Sequence, residues 1–448
     1  MGKNVRDIYI VKNSQKMKKS LVFVLIIYMV LGANCSKSKP DSSNSTELTF
    51  WHSFVATTLP ILDDLIADFE NENPGIKIRA QYVPTGDALM QKLITALQSN
   101  TAPDIAWVHA DFLDRLVNAR KIFPLDELVN DDTSFYDWGL PDIFPQLLQA
   151  ATFRDTLYAI PMEATTLALL YNRDLFRKVG LNPDHPPCNW AELDSFAMRL
   201  CNDVNGDGKY DRFGFYVPVF PAAGPLNIWM TMQWTPFVWQ AGGDIFRNNQ
   251  PMIDSDAGVA ALSFWRKLYH QQQFERFSMA HDLGFISQAV AMIIDGPWNL
   301  PRYREHIKFD WSVAPLPAGA AGRATYLSGE YLVIFRKCKD ASAAWQFLIW
   351  FVRPEVQRSF AEKSGYLPVR KSVMQDPEYI TFLKQYPQQQ SFNEQLQYAR
   401  GRNLPDRFRI EVNQYIAEAL ESSIRGGLVP EKSLQLAGEK VKRLLTSE

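Results

Sequence analysis

The chain has 448 residues, 46% hydrophobic and 21% charged, which supplies apolar material for more than one core at an ordinary globular charge load. Its 47 Lys and Arg against 49 Asp and Glu leave a formal net charge of -2. That balance, with no basic runs, gives no attractive field for nucleic acid, so a nucleic-acid partner is not expected, and neither is one single-core domain.

The N-terminus reads as an export signal. Lys18 and Lys19 precede the apolar run Leu21–Leu31, which meets Gly32, Ala33, Asn34 and Cys35. A run of this length suits a signal-peptide core, whereas a membrane-spanning helix takes about 20 residues. Met17 is an alternative start that would leave 1–16 outside the fold. Cys35 stands where a bacterial lipoprotein signal places its lipidated cysteine, although Asn34 departs from the usual Gly or Ala before it. The expectation is a signal peptide over 1–34, a lipid on Cys35 that anchors the protein to a membrane, and a polar tether over 35–46. A soluble exported protein is the alternative. The remaining cysteines, Cys188, Cys201 and Cys338, allow at most one disulfide, with Cys188 and Cys201 as the pair nearest in sequence.

From Leu48 short apolar strands alternate with amphipathic helices. Strands are expected at 49–52, 76–82 and 104–108, with helices over 59–69 and 89–97 between them. A strand at 168–172 is followed by helices over 174–179 and 190–200. Then come a helix over 257–269, strands at 289–294 and 331–335, helices over 341–351 and 354–363, and a helix-rich end closing at 430–445. This alternation implies α/β architecture with largely parallel sheets, in two halves.

Ordered phrases along the chain resemble the extracellular sugar-type solute-binding proteins of ABC importers, a family whose members bind maltodextrins or glycerol phosphate esters. They include Leu48-Thr-Phe-Trp-His52, Phe69-Glu-Asn-Glu-Asn-Pro-Gly75, Leu170-Tyr-Asn-Arg-Asp-Leu-Phe176, Trp239-Gln-Ala-Gly-Gly-Asp-Ile-Phe246, Ala291-Met-Ile-Ile-Asp-Gly-Pro-Trp298 and Ser364-Gly-Tyr-Leu-Pro-Val369. The resemblance implies a two-lobed periplasmic-binding-protein fold of type II: lobe one over 47–160 with 311–350, lobe two over 161–310 with 351–448, hinge strands between them and the ligand in the cleft. It also implies a monomer, delivering its ligand to ABC permease subunits with a cytoplasmic ATPase, and no cofactor.

A sugar offers apolar C–H faces and a rim of hydroxyls, so its pocket needs flat aromatic rings and planar carboxylates or amides. Trp51 and His52 end the first strand, Trp298 follows Asp295-Gly-Pro where the family places a stacking aromatic, and Trp239 closes a segment that also holds Trp229 and Trp234. For most of these, core filling is the competing reading. Asp111 and Glu163 align with acidic residues that accept sugar hydroxyls in maltodextrin-binding relatives. Tyr366 and Arg400 align with positions used for phosphate in glycerol-phosphate-binding members, but Glu163 would repel a phosphate, so a neutral sugar ranks first. Gly329 is a candidate backbone-amide donor, with a turn glycine as its competing role.

Asp203, Asn205, Asp207 and Asp211 have the oxygen spacing of a calcium loop, but Gly214 replaces the bidentate Glu, and a polar turn explains the same residues. The opposing function is a secreted glycoside hydrolase with paired carboxylates. No nucleophile elbow, His-Glu-x-x-His helix, P-loop or dinucleotide glycine pattern occurs, so no catalytic residue is expected.

Overall fold

A computed structural model describes residues 45–54, 58–128, 139–218, 228–405 and 407–446. The expected signal peptide, Cys35 and nearly all of the tether lie outside them. The fold begins with β1 (Thr46–His52), α1 (Leu59–Glu72), β2 (Ile76–Tyr82), α2 (Gly86–Gln98) and β3 (Ile105–His109). In α1, Leu62, Leu65, Ile66 and Phe69 recur at helical spacing and are buried on one face, and the Asn73 amide returns a hydrogen bond to the Phe69 carbonyl at 2.9 Å. Thr85 caps α2 by accepting from the Ala88 N–H at 3.1 Å.

Further along come β4 (Ile160–Pro161), β5 (Ala168–Asn172), α3 (Trp190–Leu200), β6 (Phe213–Phe215), α4 (Ile228–Gln240), α5 (Asp256–Gln271), β7 (Val290–Asp295), β8 (Trp311–Ala314) and β9 (Glu330–Ile334). α6 (Ala341–Phe351), α7 (Pro354–Ser364), α8 (Arg409–Ile424) and α9 (Pro430–Thr446) follow. The first sheet has the order β2-β1-β3-β9-β4, with β1, β2 and β3 parallel and β9 antiparallel to β3 and β4. The second has the order β8-β5-β7-β6. β8, expected in the first lobe, instead pairs antiparallel with β5 from Trp311 opposite Asn172 to Ala314 opposite Leu169, so the chain returns to the first sheet only at β9.

Three segments cross between the sheets and lie beside one another: Thr165 bridges Ser328, and Ala164 bridges Leu367. Because these crossings carry buried apolar residues such as Met162, Leu167, Leu327 and Leu367, the two halves share one continuous hydrophobic cluster rather than two separate cores.

The segment holding Trp229, Trp234 and Trp239 is the helix α4 with Pro236 in its interior. It is buried on nearly every side, so packing outweighs the proline's cost and leaves no amphipathic pattern to read. Cys188 and Cys201 are free thiols, the latter against the Gln272 side-chain oxygen at 3.7 Å, and are not bridged.

Candidate functional site

Strand directions explain where the site lies. β3 and β4 run the same way and end at one edge of the first sheet, where antiparallel β9 begins; β3 delivers His109 and then Asp111, β4 runs on to Glu163, and β9 opens with Glu330. From the second half, β7 ends in Asp295 and turns through Gly296 and Pro297 to Trp298, while the first turn of α4 presents Trp229 and Met232. His109, Asp111, Glu163, Glu330, Trp298, Trp229 and Met232, with Trp107, Tyr326, Ser328 and Tyr366, line a cavity of about 380 Å³.

The first wall is acidic. Glu163 is buried, and its Oε2 has no hydrogen-bond partner. Burial, reinforced by the nearby Glu330 charge, pushes its pKa well above the ordinary value despite a hydrogen bond with the Tyr366 hydroxyl. Glu330 Oε1 lies 2.7 Å from His109 Nδ1, its cross-strand partner, and its Oε2 is also buried without a partner. Burial opposes the charged form of His109, but Glu330, Asp87 and Asp111 outweigh it and raise its pKa, favouring an imidazolium.

The second wall is aromatic. Trp298 meets Trp229 edge to face at 5.9 Å, and its ring lies 6.4 Å from that of Tyr366, which stacks on Phe360. Asp295 fixes the turn before Trp298 by accepting from the Gly296 N–H at 2.8 Å, the Asn299 amide at 2.9 Å and the Tyr303 hydroxyl. Position 296 demands glycine, since a Cβ there would fall 1.8 Å from the Trp298 ring. One wall thus offers acceptors and the other ring faces, the two surfaces a sugar presents.

At the end of β3, Asp111 ion-pairs with Arg402, and both side chains are almost wholly buried. Arg402 also donates to Asn413 Oδ1 at 2.7 Å and Thr231 Oγ1 at 3.1 Å and lies 5.2 Å over the Tyr326 ring. Beyond this pair is a second cavity of about 360 Å³, sharing Asp111, Tyr326 and Ser328 with the first and carrying the amides of Gln146, Gln149, Asn248, Asn249 and Asn403.

The structure brings Asp111, Glu163, Trp298 and Tyr366 together on the first cavity's lining and places the other sequence candidates elsewhere. His52 points into the core among Phe50, Phe54 and Tyr82, where burial holds its pKa down to about 4. Trp51, on the opposite face of the strand, lies under Lys92 at 3.7 Å, and Ser53, one residue past β1, is what reaches the cavity. Trp239 is 2% exposed and donates to Asp244 at 3.2 Å, because ten residues after Trp229 the helix has turned its side chain inward. Gly329 packs against Glu163, where a Cβ would sit 2.0 Å from the carbonyl oxygen, so close approach explains it. Arg400 is exposed, and Arg402, two residues on, is the buried guanidinium.

In the candidate calcium loop, the oxygens face backbone amides: Asp203 accepts from Gly206 and Gly208 at 2.6 and 2.8 Å, Asn205 from Asp207 at 3.0 Å, and Asp211 from Val204 at 2.9 Å. Among the described residues, the three-residue group with metal-donor atoms within 4.8 Å of one another is His185, Cys188 and Glu192. Sequence reasoning missed His109, Glu330, Trp107 and Arg402; the strand-end positions of the first two were the available signal.

The raised pKa of Glu163 has a measurable consequence. The folded protein holds that proton more tightly than the unfolded chain, so the group's stabilisation is full below the ordinary pKa of 4.5 and is lost as pH rises above it. Urea midpoints between pH 4.5 and 8 should fall more for the wild type than for Glu163→Gln. Parallel curves would mean that Glu163 is ionised in the fold.

Residues 64–388 match the model of a family described as bacterial extracellular solute-binding protein. The maltotriose-binding protein of Pyrococcus abyssi is 24% identical over 369 residues, 79% of this chain and 72% of that protein. The sn-glycerol-3-phosphate-binding periplasmic protein of Escherichia coli K12 is 23% identical over 425 residues, 89% of this chain and 92% of its own length. Among solved structures, the cyclic alpha-maltosyl-1,6-maltose binding protein from Arthrobacter globiformis superposes with a TM-score of 0.74 at 24% identity, covering 90% of this chain and all of that one. The likeness establishes the two-lobed type II periplasmic-binding-protein fold.

Proposed function

This chain belongs to the bacterial extracellular solute-binding family, and from that premise we propose that it is the substrate-binding component of an ABC importer that captures a sugar or oligosaccharide outside the cytoplasmic membrane. The observation that carries the ligand class is the division of the cleft, with buried carboxylates from the first sheet facing tryptophans from the second half. A sugar seated there touches both walls at once, so it stabilises the closed clamp. The second, amide-lined chamber beside Asp111 suits further sugar units and favours an oligosaccharide. Export is the family's condition; anchoring through a lipid on Cys35 and delivery to permease subunits with their ATPase complete the reading.

Glycerol phosphate is the second reading, on the strength of the Escherichia coli relative. It would need a free cation in the cleft, and the described lining of the first cavity contains no Lys or Arg, while Arg402 is committed to Asp111. The relatives are binding proteins, and no catalytic step is proposed for Glu163 and Glu330. Thermal-shift and calorimetric titration with sugars, oligosaccharides and glycerol phosphates tests this, with analysis for released products. A sugar should raise the melting temperature without turnover. Glu163→Gln should weaken the best ligand by about threefold to tenfold, as loss of one hydrogen bond would, and Arg400→Ala by less than twofold. The opposite order would promote the phosphate ester, and product release would promote a hydrolase.

A further inference from the structure

Charge in the first cavity is unbalanced in a way a neutral sugar leaves unused. Four carboxylates, Asp87, Asp111, Glu163 and Glu330, line it, against one imidazole and no Lys or Arg among the described lining residues. Asp111 is matched by Arg402 behind it and Glu330 by His109. Neither Glu163 nor Asp87 has an ion-pair partner among the described residues. Glu163 and Glu330 each keep one buried carboxylate oxygen without a hydrogen-bond partner. The same lining carries the rings of Trp107, Trp229, Trp298 and Tyr366.

We infer that the cleft is built for a glycoside carrying a basic nitrogen, whose ammonium N–H groups fill the vacant carboxylate oxygens while its charge lies over the tryptophan faces. This rests on the carbohydrate reading above and narrows it. A hydroxyl group could donate to Glu163, but it would not offset the Glu330 charge that opposes ionisation of Glu163. A cation offsets that charge, forms hydrogen bonds roughly twice as strong as neutral ones, and is attracted to the ring faces. Desolvating the ammonium opposes this, and the two vacant oxygens replace its water.

A proton balance accompanies binding. Glu163 is faced by Glu330 on β9, His109 on β3, Asp111 in the following turn, Asp87 at the start of α2 and the Tyr366 hydroxyl on the crossing segment. Burial, with the Glu330 charge, raises its pKa and so favours the protonated acid in the empty cleft. An ammonium displaces that proton to solvent, whereas an amine that arrives uncharged accepts it directly, and both routes end in the same ion pair.

Two matched pairs test this by calorimetry at about pH 6: the glucosamine trimer against cellotriose, and acarbose, with its inter-ring secondary amine, against maltotetraose. The amine member of at least one pair should bind about tenfold or more tighter. In Glu163→Gln the preference should shrink below about threefold. If that variant does not fold, the wild-type preference decides alone. Equal or tighter binding of the neutral members, an undiminished preference in a folded Glu163→Gln, or binding confined to other neutral sugars overturns the inference and leaves the carbohydrate reading standing. Binding of no sugar of either kind overturns both.

Discussion

Replacing Arg402 with Ala should lower the unfolding free energy by about 3–5 kcal/mol in urea titration at neutral pH, the cost of leaving a buried carboxylate uncompensated. Arg402 and Asp111 are only 3% and 6% exposed, and the guanidinium also holds Asn413 and Thr231, so one truncation strips three partners. The pair ties the end of β3 to α4 and α8, and its loss should also loosen the contact between the two halves. The cause is separable from simple cavity formation. Asp111→Leu with Arg402→Met, which removes both charges and keeps volume, should cost less than Arg402→Ala alone. An Arg402→Ala penalty below about 1 kcal/mol, or a double replacement as costly as the single one, would defeat this account.

Removing the Trp298 ring should have the largest effect on binding. Trp298→Ala is expected to cost about 2–4 kcal/mol of affinity for the best sugar ligand, a dissociation constant raised roughly 30-fold to several hundred-fold. Its ring is partly exposed to the cavity and meets Trp229 only edge to face, so the empty protein's melting midpoint should move by only a few degrees. Trp298→Phe should recover most of the affinity, because a flat face remains for sugar C–H groups. Affinity within threefold of the wild type in the Ala variant would remove the stacking wall from the proposed site.

Much of the fold was legible from local pattern. The strand over 76–82 and the helices over 190–200 and 341–351 have the expected bounds, because each carries a strong periodicity with turn residues at its ends. α4 was hidden because a helix buried on almost every side shows no period, and Pro236 argues locally against it. β8 was misassigned because its partner β5 lies more than a hundred residues away, and no local signal marks which sheet a strand joins.

For the candidate site, the sequence alone determined the kinds of residue available and some of their positions. Asp111 and Glu163 could be read beside strand ends, and Trp298 after its Gly-Pro turn, because strand termini and tight turns are written in neighbouring residues. Only the tertiary structure decided the partnerships. His109 faces Glu330 from 221 residues away, and Asp111 faces Arg402 rather than the nearby Arg400. His52 and Trp239 were spent on packing, because alternation along a strand and rotation along a helix turned them into the core. Electrostatics and hydrogen bonding act over a few ångströms of space whatever the distance along the chain, so a cleft assembled from distant strand ends acquires its charge balance only on folding.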